Sequence, residues 1–247
     1  MPLIALFTDF GLEGPYIGQM KAVLAEQAPG VTAVDVFPDL PPFNVRAAAY
    51  LLPAYCQTLP ASAISLCVVD PGVGGQRRGL IVEADGRRFV GPDNGLFSLL
   101  IRRAMDARVH AIEWRPEQSM SATFHGRDWF APVAARLLRG ETVANLATPV
   151  ADAVMPDWPE ELAEIVYVDH FGNAMTGIRA VALPERARVR VGDYVLSHAR
   201  TYSERGIGDC FWYENSNGLV ELAANRGAVS ALLNLSVGDH LRIENAP

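Results

Sequence analysis

The sequence predicts an α/β fold with two domains, and three observations support this interpretation. Strand-like and helix-like segments alternate over residues 1–150, which is typical of a mostly parallel central sheet covered by helices. Residues 140–159 contain three prolines and show weak periodicity, so we interpret them as a connection and place the linker at 151–159. Residues 160–247 contain short strand-like runs between turn signals, which predicts a small C-terminal β-barrel or sandwich.

The elements of the N-terminal domain follow from hydrophobic periodicity. Runs of apolar residues predict strands, and apolar residues at intervals of three and four predict helices. Asp85-Gly86 lies between two such runs and predicts a hairpin turn. In chain order we expect strand 3–7, helix 17–27, strand 32–37, helix 45–57, strand 63–69, hairpin strands 79–83 and 88–90, helix 95–104, strand 108–112 and helix 129–138.

The C-terminal domain is predicted from short runs and the turns that separate them. Gly192-Asp193, Asn217-Gly218 and Gly238-Asp239 are turn signals, because these residues favour the conformations that tight turns require. We expect strands at 164–168, 187–191, 194–197, 210–213, 219–223 and 240–243.

Composition and charge exclude several classes of function. The net charge is −7 and no basic stripe is present, which argues against a general nucleic-acid-binding protein. Lys21 is the only lysine, so neither a Walker-type phosphate loop nor Schiff-base chemistry is expected. Three dispersed cysteines favour a reducing compartment, and neither a signal peptide nor an apolar run of membrane-spanning length is recognisable. We therefore expect a cytoplasmic protein that binds no membrane.

The loop after strand 63–69 is the most informative candidate site. Asp70 ends the strand, three glycines follow Pro71 within four residues, and Arg77 and Arg78 close the loop. Glycines allow the backbone to approach a ligand closely. A plain turn with a surface arginine pair fits this segment equally well when it is considered alone.

Three further polar clusters lie at the edges of predicted elements. Asp9 follows the first strand, where it would either bind a pair of ligand hydroxyls or cap the next helix. His125 precedes a helix and is surrounded by Gly, Arg and Asp, which favours a ligand site over a structural histidine. Phe171 and Asn173 open the second domain, where an aromatic ring can stack on a base and an amide can bind its edge.

Six short motifs, in this order, resemble those of one family. They span nearly the whole chain: TDFG at 8–11, DPGVG at 70–74, PDNG at 92–95, FHGRD at 124–128, FGN at 171–173, and SNGL at 216–219 followed by Asn225-Arg226. The chain resembles the S-adenosyl-L-methionine (SAM) hydrolases, also called SAM hydroxide adenosyltransferases, which are related to fluorinating and chlorinating enzymes.

The resemblance implies a fold, an activity and an assembly. It implies an N-terminal α/β domain at 1–150 and a C-terminal β-barrel-like domain at 160–247. The implied reaction is cleavage of SAM by water at C5′ into adenosine and L-methionine, without a metal or other cofactor. The implied assembly is a homotrimer, with each site between the N-terminal domain of one subunit and the C-terminal domain of its neighbour.

The resemblance also assigns roles to individual residues. The family's catalytic set corresponds to Asp70, Arg77 and His125. We expect His125 and Arg77 to hold the water, with Asp70 orienting Arg77. The implied substrate-binding residues are Asp9 at the ribose hydroxyls, Phe43 near the sugar, Asp169 and Ser216 at the methionine end, and Phe171, Asn173, Asn225 and Arg226 at adenine.

Two positions separate hydrolysis from halogenation within this resemblance. The halogenating relatives carry Tyr where this chain has Asp70, and Tyr-Ser where it has His125-Gly126. Water needs activation that a halide ion does not, and a carboxylate, a guanidinium and an imidazole together can supply it. The chain departs from the family pattern at Gly14, where many members carry Asp, and at Asn217, where the halogenating relatives carry Arg.

Two other classes of function compete with SAM hydrolysis. One is a nucleoside-binding or sensing module that retains adenosine with little turnover. The other is a metal-dependent phosphohydrolase built on Asp9, Asp70 and His125, although no histidine pair has the spacing of zinc ligands.

Overall fold

The computed structural model describes residues 2–117 and 120–244. The chain divides into two compact units, Met1–Pro156 and Asp157–Pro247. Among the described residues, no helix is both long enough and apolar enough to cross a membrane.

The first unit is a mixed α/β structure built on one large sheet. In its described part the sheet has seven strands in the order β2-β1-β3-β5-β4-β6-β7, and five of these run in one direction. The elements are β1 Leu3–Thr8, α1 Tyr16–Gln27, β2 Thr32–Phe37, α2 Val45–Cys56, β3 Ile64–Val68, β4 Gly79–Ala84, β5 Arg87–Pro92, α3 Ser98–Arg103, β6 Ala107–Ile112, a π-helix Gly126–Phe130, α4 Ala131–Leu138, α5 Val143–Leu146 and β7 Ala147–Pro149.

The centre of this sheet brings two loops together. Strands β1 and β3 are neighbours and run parallel, with Thr8 opposite Val68. Both strands are almost entirely buried, as expected for apolar strands that are covered on both faces. Because they end side by side, Asp9 and Asp70 leave the same edge of the sheet, where ligands bind in open α/β sheets.

The expected alternation of strands and helices is confirmed, and so is the mostly parallel sheet. The predicted hairpin between β4 and β5 reverses direction at Asp85 and Gly86. The φ angles of these residues, 47° and 76°, are those of a two-residue hairpin turn. The interpretation of residues 140–149 as part of a connection is wrong, because α5 lies there and β7 pairs with β6. These two elements are only four and three residues long, which is too short to produce a hydrophobic period.

The second unit contains two antiparallel sheets, which its described residues arrange as β12-β13-β9-β8 and β11-β10-β14. Isolated bridges join Glu164 to His240 and His198 to Trp212, at the edges of the two sheets. The elements are β8 Leu162–Val168, β9 Ala174–Arg179, β10 Arg188–Val191, β11 Tyr194–Ser197, β12 Cys210–Glu214, β13 Leu219–Ala224, α6 Val229–Leu233 and β14 Leu241–Glu244, with 3₁₀ turns at Ala180–Ala182 and Tyr202–Glu204.

Strand β9 and helix α6 are absent from the sequence prediction. Strand β9 contains Gly177, which weakens a strand pattern. The glycine is needed because a Cβ at this position would lie 2.6 Å from Leu162 Cβ on the neighbouring strand. Helix α6 has five residues, too few to show a helical period.

Candidate functional site

Asp9 is held by the backbone of a neighbouring loop. Its Oδ2 atom accepts a hydrogen bond of 2.9 Å from the Phe43 N–H. The alternative role as a helix cap is not found, because α1 has Pro15 at its N-cap position and no side-chain cap. Burial raises the pKa of Asp9 above its ordinary value, although the bond from Phe43 opposes this shift.

Phe43 lies in a conformation that phenylalanine rarely adopts. Its φ angle is 61°, in the left-handed region, and its ring is exposed. Such backbone strain costs about 1–3 kcal/mol and persists only where surrounding contacts hold it. The Asp9 carboxylate provides one such contact, so the two residues form one structural unit at the edge of the sheet.

Asp70, Arg77 and His125 form a continuous hydrogen-bonded cluster. Arg77 Nε donates to Asp70 Oδ1 at 2.8 Å, and Arg77 Nη2 donates to Asp70 Oδ2. The same Nη2 lies 2.9 Å from His125 Nδ1. The Arg77 and Asp70 side chains are only 10% and 5% exposed, so the alternative of a plain turn with surface arginines does not hold for Arg77.

The position of Arg77 determines which nitrogen of His125 carries a proton. A guanidinium can only donate, so Nδ1 must accept, and the proton of the neutral imidazole lies on Nε2. Burial is the largest cause that lowers the pKa of His125, and the charge of Arg77 lowers it further. His125 is therefore a neutral ring near neutral pH, with Nε2–H as a hydrogen-bond donor.

Aromatic rings form the wall behind this cluster. The guanidinium carbon of Arg77 lies 5.7 Å and 5.2 Å from the ring centres of Trp129 and Phe130. The Trp129 ring meets His125 edge-on at 5.6 Å, and Arg115 stacks on that tryptophan at 3.9 Å. The two aromatic residues lie at the end of the π-helix, an irregularity that often occurs at functional sites.

The glycine-rich loop is packed against the segment that carries His125. Gly74 has a φ angle of 81°, and a Cβ there would lie 2.4 Å from the Ala122 carbonyl oxygen. Only glycine fits this conformation and this close approach. The motif around Asp70 and the motif around His125 are therefore joined through direct backbone contact.

A cavity of about 330 Å³ in the first unit brings four predicted site residues together: Asp9, Phe43, Asp70 and His125 all line it. Arg77 is not among the lining residues and bridges Asp70 and His125 instead. This geometry puts Asp70 and His125 at the cavity, with Arg77 hydrogen-bonded to both of them. The roles expected for Arg77 and Asp70 stay predictions.

Arg78 has a different environment from Arg77. It donates to Asp93 Oδ2 at 2.8 Å and to Asp152 Oδ1 at 2.8 Å. These ion pairs join loops of the first unit, whereas the partners of Arg77 are the candidate site residues Asp70 and His125. Among the described residues, no group of three or more His, Cys, Asp or Glu is placed to hold a metal ion.

In the second unit, Asp169 organises the turn that carries Phe171 and Asn173. Its Oδ1 accepts from the N–H groups of both residues, at 2.9 and 2.8 Å, and its Oδ2 accepts from Asn173 Nδ2 at 3.0 Å. Gly172 lies between them with a φ angle of 81°, and a Cβ there would lie 2.5 Å from Ala228 Cβ. Asp169 thus fixes the backbone of the turn and the orientation of the Asn173 amide.

A second cavity, of about 660 Å³, lies within this unit. Phe171, Asn173, Asn225 and Arg226 line it together with Tyr202, so four of the six residues predicted in this domain share one cavity. Phe171 is exposed, whereas Asn173 is buried. Ser216 is not among the lining residues, because it lies in the turn before β13 and Asn225 follows the other end of that strand.

Several residues around the candidate site residues carry no signal in the sequence. Trp129 and Arg115 support His125, and Tyr202 lines the second cavity with Asn173. None belongs to a predicted polar cluster, and aromatic residues in apolar segments are ordinarily core residues. Only the folded structure reveals which of them contact the candidate site residues.

Comparisons with known proteins give a consistent result. The family model of the SAM hydroxide adenosyltransferase N-terminal domain matches residues 4–147, and that of the C-terminal domain matches 163–242. The (R)-S-adenosyl-L-methionine hydrolase of Thermus thermophilus is 40% identical over 97% of this chain and 98% of that protein. The protein with the same name from Salinispora arenicola is 39% identical over 98% of this chain and 97% of that protein.

A solved structure has the same fold over nearly the whole chain. The structure of an uncharacterized conserved protein from Thermotoga maritima has a TM-score of 0.88 and 31% identity, and the match covers 97% of this chain and 99% of that one. A fluorinase from Nocardia brasiliensis is more distant, with 24% identity over 98% of this chain and 97% of that protein. Both domain models and these relatives place the chain in one family: it belongs to the SAM hydroxide adenosyltransferases.

Proposed function

We propose that this protein hydrolyses (R)-S-adenosyl-L-methionine at C5′ to adenosine and L-methionine. The observation that carries the proposal is the cluster of Asp70, Arg77 and His125 at the cavity that Asp9 and Phe43 also line. The names of relatives that are 39–40% identical over the full chain support the same substrate and reaction.

The chemistry needs a well-placed water molecule more than it needs an acid. The bond from C5′ to the sulfonium sulfur breaks with both electrons on sulfur, and the leaving group departs as a neutral thioether. No proton is required for its departure. The protein must hold water in line with the breaking bond and exclude bulk solvent, and correct positioning alone contributes several kcal/mol.

His125 and Asp70 divide the work of holding that water. His125 donates from Nε2 to the water oxygen, because its Nδ1 is occupied by Arg77. Asp70 retains lone pairs that can accept a hydrogen from the water, even with both oxygens bound to Arg77. As the C5′–O bond forms, the water oxygen becomes strongly acidic, and Asp70 takes the proton before releasing it to solvent.

The remaining site residues are proposed to bind the substrate. Asp9 would hold the ribose hydroxyls and Phe43 would contact the sugar. The second cavity would bind adenine, with Phe171 stacked on the base and Asn173, Asn225 and Arg226 at its edge. Asp169 and Ser216 would contact the methionine end.

Four further expectations belong to the same proposal. We propose a homotrimer with sites at subunit interfaces, which light scattering would test. The bridges of Glu164 to His240 and of His198 to Trp212 support a barrel-like second domain. The unpaired cysteines Cys56, Cys67 and Cys210 support a cytoplasmic location. Limited proteolysis would test the domain bounds 1–150 and 160–247.

The direct test is to incubate the purified protein with SAM and separate the products by chromatography. We expect equal amounts of adenosine and L-methionine, and we expect the yield to collapse in His125→Ala. His240→Ala is the matched control, since that side chain is 81% exposed and does not line the cavity. Tight retention of adenosine with no turnover would instead support a nucleoside-binding module.

A further inference from the structure

The proposed mechanism does not use the PDNG motif at 92–95, although this motif lies beside the loop that begins at Asp70. The motif starts at the last residue of β5, which runs parallel to β3, so it leaves the same edge of the sheet as Asp70. The structure describes all four of its residues, and none of them lines the cavity that contains Asp70 and His125. Any effect of the motif on the chemistry must therefore pass through other residues.

Asn94 binds the backbone immediately before Asp70. Its Nδ2 donates a hydrogen bond of 2.9 Å to the carbonyl oxygen of Val69, a residue that is fully buried. The pairing of β5 with β3 ends earlier, at Val90 and Leu66, so the Asn94 side chain extends the contact between the two segments beyond the ladder. Asn94 thus holds the peptide group that joins Val69 to Asp70.

Asp93 binds the other end of the same loop through its backbone. Its N–H donates to the Arg78 carbonyl oxygen at 3.0 Å. Arg77 Nη1 lies 3.5 Å from that same oxygen. The consecutive residues Asp93 and Asn94 therefore contact the chain directly before Asp70 and directly after Arg77, which brings the two ends of the loop together.

The turn that carries these two donors is itself anchored. Asn94 Oδ1 accepts from the Leu96 N–H at 3.2 Å, which forms an Asx turn. Because only Nδ2 of an amide can donate to a carbonyl, both contacts of Asn94 require the same orientation of its amide. Asp93 is 4% exposed, and its Oδ1 accepts from the Val154 N–H at 2.8 Å. The turn is therefore a fixed support for the Val69 carbonyl.

We propose that Asn94 is a positioning residue that holds the Asp70 carboxylate in register with Arg77 and with the attacking water. The proposal rests on the proposed function, because it assumes that Asp70 contacts this water. Arg77 binds both Asp70 and His125, so a backbone shift at Val69 would move Asp70 relative to the other two groups. A displacement of about 1 Å in such a group can reduce the rate by roughly 100-fold.

Asn94→Ser is the decisive variant. A serine hydroxyl can still accept from the Leu96 N–H in a comparable turn, but its side chain is one bond too short to donate to Val69. We expect kcat for SAM to fall by at least ~10-fold while KM stays within ~2-fold of the wild-type value, because Asn94 does not line the cavity. Asn94→Asp is a second variant, which keeps the size of the side chain but cannot donate to a carbonyl.

Arg78→Met is the matched control for both variants. It removes the ion pairs of Arg78 with Asp93 and Asp152, beside the same turn. It leaves in place the Arg78 carbonyl that the Asp93 N–H binds. We expect this control to be less stable than the wild type but to keep the wild-type kcat.

Unfolding measurements test the positioning without requiring turnover. Urea unfolding of the wild type, Asp70→Asn, Arg77→Met and the double variant gives the coupling energy between Asp70 and Arg77. We expect the same cycle in the Asn94→Ser background to give a coupling energy reduced by at least about half, because Asp70 is no longer held against Arg77. A side chain that only stabilised the turn would lower the stability of all four proteins equally and leave the coupling unchanged.

The outcomes separate this proposal from the proposed hydrolysis. If Asn94→Ser and Asn94→Asp keep the wild-type coupling, or keep the wild-type kcat in a protein that cleaves SAM, the positioning role is wrong. If neither variant folds, Asn94 is needed for folding itself and the positioning role is also wrong. If the coupling falls but the wild-type protein does not cleave SAM, the proposed hydrolysis fails, and Asn94 remains the residue that positions Asp70 against Arg77.

Discussion

Replacing Arg77 with Met tests both the stability and the chemistry of the Asp70 cluster. The substitution keeps an apolar side chain against Trp129 and Phe130 but removes both hydrogen bonds to Asp70 and the one to His125. Asp70 is 5% exposed, so its carboxylate would remain buried without its cation. Breaking a buried ion pair in this way typically costs about 3–5 kcal/mol, and we expect the free energy of unfolding to fall by that amount.

The double substitution Asp70→Asn/Arg77→Met isolates the cost of the unpaired charge, because the single and double variants lose the same Arg77 contacts. Without a carboxylate, no unpaired charge is buried, so we expect the double variant to be more stable than Arg77→Met alone. Urea unfolding of the wild type, the two single variants and the double variant gives the coupling energy. A single Arg77→Met variant within ~0.5 kcal/mol of the wild type would refute the inference that the pair is buried and structurally coupled.

Activity should respond differently from stability in the same set of variants. Arg77→Met frees His125 Nδ1 and removes the group that orients Asp70, so we expect kcat to fall by at least ~100-fold. The double variant should be no more active than the single one, because recovered stability does not restore the water-holding groups. Steady-state kinetics at saturating SAM, at a temperature where all variants are folded, would measure this difference.

Three further predictions concern other residues of the first unit. Because burial and Arg77 lower the pKa of His125, kcat/KM should stay constant from alkaline pH down to below about 6.5, the ordinary histidine pKa, and fall only as the ring gains a proton. Removing Arg77 should raise that midpoint, and titration of the His125 ring by NMR would check both. Arg78→Met should lower Tm by loss of its ion pairs but leave kcat/KM unchanged, which thermal unfolding and kinetics would show. Phe43→Gly should relieve the strain at φ 61° and raise KM for SAM while Tm stays level or rises; a fall in Tm would contradict this.

The placement of the catalytic candidates could be anticipated from the sequence because it depends on short-range rules. Apolar strands that end in Asp9 and Asp70 predict that both carboxylates lie at one edge of a parallel sheet. The spacing from Asp70 to Arg77 is consistent with a loop that returns to its own start. The sequence does not determine which of these groups faces the cavity, since that depends on how Arg77 packs against Trp129 and Phe130.

The second unit shows where local patterns fail. Strand β9 is not predicted because Gly177 interrupts the strand pattern. Glycine is required at this position because Leu162, on another strand, leaves no room for a Cβ atom. Glu221 lies in the predicted strand 219–223, where a charged residue is ordinarily exposed, but the fold buries it. Its burial is explained by Tyr213 and Asn215, whose contacts with it form only when β12 and β13 pair.

The most direct test of the central claim is the reaction of SAM in water enriched in oxygen-18, followed by mass spectrometry of both products. Attack of water on C5′ predicts one heavy oxygen in adenosine, at the 5′ position, and none in L-methionine. Adenosine without the label, or a labelled fragment other than adenosine, would contradict the assignment of Asp70 and His125 as the groups that hold the attacking water.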